Sequence, residues 1–217
     1  MAEKIYFISG LGADRRVFRK LVFSEEFEII YLDWITPDPK ESLSGYAPRL
    51  ALAIDHSAPF YLVGVSFGGF IATEIAKVLK PKHTFIISSA ATSNELPWYY
   101  RLAGSFRLQK IIPASLLKHT NRMAYWIFGA RTTGEKKMLK NILIDTDPVF
   151  LKWALNSILD WKNTERPENL THIHGTGDKI MPIKYVKPDH IIDGGGHLMV
   201  YSKAAAVNSI LSAQLIS

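Results

Sequence analysis

Six short runs rich in Ile, Val, Phe and Tyr recur along this 217-residue chain, and stretches of helical pattern separate most of them. The runs are "KIYFIS" at 4–9, "EIIYLD" at 28–33, "FYLVGV" at 60–65, "HTFIIS" at 83–88, "THIHG" at 171–175 and "HIID" at 190–193. Nearly continuous apolar runs suit strands buried on both faces, whereas a half-exposed strand alternates apolar with polar. Helical pattern fills Asp14 to Phe23, Glu41 to Ile54, Phe67 to Leu79 and about His197 to Leu215. Strand and helix alternating in this way predict βαβ units with right-handed crossovers. The expected fold class is α/β: a predominantly parallel six-stranded sheet with helices on both faces.

The alternation stops after Ser89. From Asn94 to about Glu165 there is no good strand candidate, only helical pieces such as "PWYYRLAGSF", "GEKKMLKNILI" and "DPVFLKWALNSILDW". Asp147 ahead of Pro148 reads as the cap of the last piece. The organisation that follows is a core made of residues 1–93 and 166–217, with a helical cap or lid inserted at 94–165. Four of the five tryptophans (Trp98, Trp126, Trp153, Trp161) fall in this insertion. They are expected to pack against its own core or the sheet, with a minority lining a pocket.

Composition removes several classes of function. There is no cysteine, which excludes disulfides, thiolate nucleophiles and cysteine-ligated metals. No apolar run approaches the roughly 18 residues of a membrane helix, and the apolar run at the N-terminus is too short for a signal-peptide core. The expectation is a cytoplasmic protein that does not engage a membrane. Of the net charge of +6, the segment 94–165 carries most, with eleven bases against six acids. These bases are Arg101, Arg107, Lys110, Lys118, Arg122, Arg131, Lys136, Lys137, Lys140, Lys152 and Lys162. They are scattered rather than clustered and no nucleic-acid motif accompanies them, so no nucleic-acid partner is expected. A solvated helical surface accounts for them, and an electropositive lip favouring an acidic substrate is the functional alternative.

In open α/β sheets ligands bind beyond the carboxyl ends of the strands, and four of the six runs end in residues with chemistry to offer. The third leads into Gly64-Val65-Ser66-Phe67-Gly68 and then directly into a helix. G-x-S-x-G arises by chance about one time in fifteen in a chain this long. Its place between strand and helix is what a nucleophile elbow requires, since the glycines permit a tight turn that exposes the serine hydroxyl. The fifth run ends in "HGTGDKIMP", which sets Asp178 in a glycine-punctuated loop, and the sixth in "DGGGHLMV", which sets His197 after three glycines. Nucleophile, acid and base stand in the order Ser, Asp, His, each at a strand's end. The first run opens into "SGLGADRRVF". From that loop the Leu11 N–H, with the Phe67 N–H, could hold the oxyanion of a tetrahedral intermediate.

On these residues the chain resembles an α/β-hydrolase-fold protein of the serine-nucleophile kind, esterase- or lipase-like, over essentially its whole length. The resemblance implies Ser66 as nucleophile, Asp178 as acid, His197 as base and Gly10 to Gly12 as the oxyanion loop. The His-Gly pair common in that loop of the family is Ser9-Gly10 here. The first strand is already the one leading into the loop, so a trimmed form of the fold is expected.

The expected activity is hydrolysis of a small-molecule carboxylic ester, anionic in the preferred reading, through an acyl-enzyme and without cofactor or metal. Thioester or carbon–carbon hydrolysis and lyase chemistry could use the same residues. So could a ligand-binding or signalling protein with little turnover. Two rivals fare worse. Gly10-Leu11-Gly12 with Asp33 imitates a dinucleotide fingerprint but has Arg15 where the third glycine belongs. His172 and His174 alternate on a strand as a metal pair would, but no third ligand is evident. His56, His83, His119 and His190 read as surface or structural.

Overall fold

The computed structural model describes residues 2–105 and 121–215. Six strands form one sheet: β1 (Glu3–Ile8), β2 (Phe27–Leu32), β3 (Phe60–Val65), β4 (His83–Ile87), β5 (Leu170–Gly175) and β6 (His190–Ile192). The order is β2-β1-β3-β4-β5-β6 and every pairing is parallel. The chain first steps from β1 outward to β2, then returns past β1 to β3 and continues in the opposite direction. The strand order thus reverses between β1 and β3, and the carboxyl ends at such a reversal are where open α/β sheets bind ligands.

Both faces of the sheet are covered. On one lie α1 (Leu43–Ala51) and α2 (Phe67–Leu79), packed over Tyr6, Ile8, Leu62 and Ile86. On the other, Ile5, Phe7, Val63, Phe85 and Ile173 meet the last two helices, α7 (Met199–Ser202) and α8 (Ala204–Leu215). All six residues of β3 are buried, as its unbroken apolar run requires.

Between β4 and β5 the described residues form a 3-10 turn, Ser93–Glu95, four α-helices and no strand: α3 (Trp98–Ser105), α4 (Arg122–Phe128), α5 (Thr133–Asp145) and α6 (Pro148–Leu159). Their starts follow from local chemistry. Thr132 and Glu135 make a reciprocal capping box on α5, and the Asp147 carboxylate accepts the Phe150 N–H at 2.7 Å at the head of α6. Helix α5 buries Met138, Leu139 and Ile142 in the core on the α8 side, while α6 buries Phe150, Trp153 and Ala154 in the core on the α2 side. The segment therefore straddles the sheet.

Three details depart from the sequence pattern. The helix expected at Asp14 to Phe23 is only a 3-10 turn, Arg15–Phe18. Val17 and Phe18 reach the core from that turn, the Leu21 N–H closes it on the Phe18 carbonyl at 2.8 Å, and Leu21 and Phe23 pack on the same core from the non-helical chain that follows. The expected single helix from His197 breaks at Lys203, a change of direction that lets both Met199 and the Val207–Leu211–Leu215 stripe face one core. Of the four tryptophans, Trp153 and Trp161 pack on the sheet domain, whereas Trp98 and Trp126 are exposed.

Candidate active site

Ser66 occupies the junction of β3 and α2 with φ 53° and ψ −118°, a region that side-chain-bearing residues rarely enter. Such a residue costs on the order of 1–3 kcal/mol and persists only where its surroundings hold it. Here the Ser66 N–H donates to the Ile87 carbonyl at 2.9 Å, and its carbonyl accepts the Ser89 hydroxyl at 2.8 Å. The flanking glycines are required by space. A Cβ on Gly64 would lie 2.3 Å from the Gly68 carbonyl oxygen, and one on Gly68 would lie 2.2 Å from that of Ile8.

Asp178 follows β5 and His197 follows β6, and hydrogen bonding between their loops brings them together: the Gly177 N–H donates to the Gly195 carbonyl at 2.9 Å. One carboxylate oxygen, Oδ1, accepts the N–H groups of Ile180 and Met181, each at 2.9 Å. The other, Oδ2, lies 2.8 Å from His197 Nδ1, and His197 Nε2 lies 2.8 Å from Ser66 Oγ. A carboxylate can only accept, so Nδ1 carries the ring hydrogen and Nε2 presents a lone pair to the serine hydroxyl. Burial pushes the Asp178 carboxyl up. The facing His197 ring and the hydrogen bonds from His197 and Met181 outweigh that and leave it below the usual carboxylate value. It stays ionised.

The loop after β1 lies against the serine: a Cβ on Gly10 would sit 3.4 Å from Ser66 Cβ and 3.9 Å from Ser66 Oγ. Ser9 ties this loop by donating its hydroxyl to the Ala13 carbonyl at 2.6 Å, and the Ala13 N–H closes a turn on the Gly10 carbonyl at 2.9 Å. Leu11 is at the bend of that turn. Phe67 is the first residue of α2, so its N–H has no carbonyl within the helix to bond. Of the two amides named from sequence, that of Phe67 follows the serine directly at the head of α2, and that of Leu11 belongs to the loop whose Gly10 lies against the serine.

Other contacts at the site left no mark in the sequence. The Tyr100 hydroxyl of α3 donates to the Ile180 carbonyl at 2.7 Å, and the Phe128 ring stands 5.9 Å from that of His197. The Phe128 carbonyl accepts the Leu198 N–H at 3.1 Å. Lys179, next to the acid and exposed, places its ammonium 4.7 Å from the centre of the Trp126 ring. Of the bases between 94 and 165, Arg107, Lys110 and Lys118 lie outside the described residues, as does His119.

His172 and His174 do share a face of β5, but they bond to each other at 3.1 Å. No group of three metal-ligating side chains exists among the described residues. None of the described helices is long and apolar enough to cross a membrane.

The family model of the alpha/beta hydrolase family matches residues 5–210. The chain belongs to that family. An esterase from Exiguobacterium antarcticum superposes with a TM-score of 0.74 at 14% identity, covering 100% of this chain and 92% of that one. An enol-lactonase from Burkholderia xenovorans superposes with a TM-score of 0.72 at 15% identity, over 100% of this chain and 92% of its own. A bromoperoxidase from Bacillus anthracis gives 0.66 at 15% identity, over 100% and 93%. None of the curated proteins matches. Likeness at this identity carries the fold, and an esterase, an enol-lactonase and a bromoperoxidase differ in chemistry, so the hydrolase's own chemistry has to be argued from its residues.

Proposed function

We propose that this alpha/beta hydrolase is a serine esterase acting on a small-molecule carboxylic ester through Ser66, His197 and Asp178. Ser66 Oγ attacks the acyl carbon as its proton passes to His197 Nε2, and the carbonyl oxygen takes the negative charge. Collapse expels the alcohol, which leaves with the proton from His197; water then repeats the sequence on the acyl-enzyme and releases the acid. Asp178 holds the imidazole in the tautomer that accepts at Nε2 and stabilises the imidazolium. The Leu11 and Phe67 N–H groups receive the oxyanion, where one such donor is worth about 2.7–4 kcal/mol of barrier. No step calls for a cofactor or a metal.

The reading rests chiefly on one observation: two successive 2.8 Å hydrogen bonds link Ser66 Oγ, His197 and Asp178, with the serine held at positive φ. Buried histidines seldom meet a strained serine hydroxyl and a carboxylate in line for packing reasons alone. Residues 94–165 act in this reading as a cap that shapes specificity, and their excess of bases favours an anionic ester.

Intact-protein mass spectrometry after treatment with a fluorophosphonate tests the proposal, followed by a panel of short-chain esters. Labelling at Ser66 that Ser66→Ala and His197→Ala both abolish is the expected result. A folded protein that takes no label would overturn it and favour a binding protein on the same fold.

A further inference from the structure

The buried pair on β5 is not explained by packing. His172 and His174 are both fully buried, at 0% exposure, on a strand whose other positions are filled by apolar residues, threonine and glycine. Desolvating a polar group without a partner costs about 1–3 kcal/mol, and the His172 Nδ1 has no hydrogen-bond partner among the described residues. Two aliphatic side chains would fill the space without that cost.

Their hydrogen-bond order can be read from one carbonyl. His174 Nε2 stands 2.7 Å from the Met181 carbonyl, which can only accept, so Nε2 carries the hydrogen. In the neutral ring Nδ1 is then an acceptor, and it lies 3.1 Å from His172 Nε2, which must donate. Burial pushes His172 down to about 3, helped by His174 and Arg166 and opposed by Asp189 and a Ser89 backbone contact. Burial lowers His174 as well, against the pull of Asp178 and the Met181 carbonyl and with a push from His197. Both rings are neutral at physiological pH, each with hydrogen on Nε2.

The Met181 carbonyl belongs to the turn that grips the acid. Its Ile180 and Met181 N–H groups are the two that donate to Asp178 Oδ1. His174 Nε2 also lies 3.7 Å from Asp178 Oδ2, the oxygen that takes the His197 hydrogen. Thus one N–H fixes the turn and presents the positive end of its dipole to the carboxylate.

We propose that His174 is a positioning residue for Asp178, with His172 locking its tautomer, so that the line from Ser66 through His197 and Asp178 continues into the sheet as far as His172. This inference rests on the reading of Ser66 as nucleophile. His174 takes no proton during turnover, because its Nε2 is already a donor. It acts by holding the carboxylate where it supports the imidazolium of His197.

The test compares His174→Gln, which keeps an amide N–H near the place of Nε2, with His174→Leu, which removes it. Readouts are the pH profile of fluorophosphonate labelling at Ser66 and kcat against KM on an ester that the wild type turns over. His174→Leu is expected to lose about ten- to a hundredfold in labelling rate and kcat at unchanged KM, the range seen when an outer partner of a functional group is removed. Its acid limb should move to lower pH, because a misdirected carboxylate supports the imidazolium less, and His174→Gln should recover most of the loss. Wild-type rates in His174→Leu, or equal losses in both variants without a shifted limb, would overturn the proposal. Long-range ¹⁵N–¹H correlation on the unmodified protein gives an arm that needs no variant and no turnover. At pH 7.5 it should show both rings as neutral Nε2–H tautomers, and an Nδ1–H tautomer or a protonated ring at His174 would also overturn it. Absence of wild-type labelling alongside the expected tautomers would count against the nucleophile reading and not against the hydrogen bond from His174 to the acid's turn.

Discussion

Thr146 rests directly on Gly12: its hydroxyl lies 3.3 Å from the Gly12 carbonyl, and a Cβ built on Gly12 would stand 2.0 Å from Thr146 Oγ1. The single hydroxyl proton serves the Ile142 carbonyl, at 2.7 Å, so the contact with Gly12 is one of close fit. Two ion pairs of Arg16 reinforce it, to Asp14 beside the loop at 2.8 Å and to Asp145 at the end of α5 at 2.7 Å. The helices inserted between β4 and β5 are thereby braced on the loop that carries Leu11.

Gly12→Ala should therefore damage catalysis more than folding. Gly12 has φ +64°, and a methyl group there meets both backbone strain and Thr146. A displaced Leu11 amide removes one oxyanion donor of the proposed mechanism, so kcat should fall by about a hundred- to a thousandfold with circular dichroism unchanged. Adding Thr146→Gly relieves the clash but not the strain, so the double variant should recover only part of the loss. Full activity in Gly12→Ala would show that the loop plays no part in the chemistry.

Ser66 and His197 should behave as one unit. In the proposed mechanism the histidine acts only by taking the serine's proton, so Ser66→Ala, His197→Ala and the double replacement should give nearly the same kcat, each down by roughly 10⁴-fold or more. Asp178→Asn turns the imidazole toward the wrong tautomer and should cost about 10⁴-fold. Additive losses in the double variant would mean that the two side chains act separately.

The strands, and the meeting of Ser66, His197 and Asp178 at their carboxyl ends, were legible because their signals are local. A run such as "FYLVGV" is buried on both faces, and Gly64 and Gly68 record a clash that only glycine avoids. Where the inserted helices land was not legible. Their anchors pair side chains with distant backbone groups: the Trp153 indole donates to the Glu41 carbonyl at 2.8 Å, and Tyr100 to that of Ile180. A carbonyl acceptor leaves no trace in residue type. The alternation of His172 and His174 was visible, but whether it served a metal or a neighbouring carboxylate depended on the turn at 178–181, which no spacing encodes.

Trp161→Phe should lower stability while leaving activity in place. The Trp161 indole donates to the buried Glu74 carboxylate at 2.7 Å, and Glu74 retains Lys77 at 2.9 Å. Phenylalanine keeps the edge contact with Phe70 but leaves a charged oxygen short of a donor, at about 1–3 kcal/mol. The melting temperature should drop by several degrees with kcat unchanged. An unchanged melting temperature would mean that water replaces the indole at no cost.

If the bases of 94–165 attract the substrate, activity on an anionic ester should fall with added salt more than activity on a neutral isostere. Screening shortens to about 10 Å at 0.1 M, so kcat/KM at 20 mM and 300 mM salt separates the two cases. Equal responses would remove the anionic preference.

Stability should fall with acid in two stages. His172 drops from its ordinary 6.5 to about 3 in the fold, and His174 drops in the same direction. A histidine whose folded value lies below its unfolded one binds protons preferentially in the unfolded chain. Its contribution is therefore complete above pH 6.5 and is lost progressively as pH falls toward the folded value. Asp178 is also depressed in the fold, but from 3.8, so its stabilisation is present above that value and is lost only at lower pH. Between pH 6.5 and 4 His172 outweighs Asp178, at about 1.4 kcal/mol per pH unit for the proton it takes up on unfolding. Urea midpoints measured across that window should decline, and His172→Leu should decline less steeply by close to one proton. Parallel slopes for the wild type and the variant would mean that His172 is protonated in the folded protein, contrary to its place in the line behind Asp178.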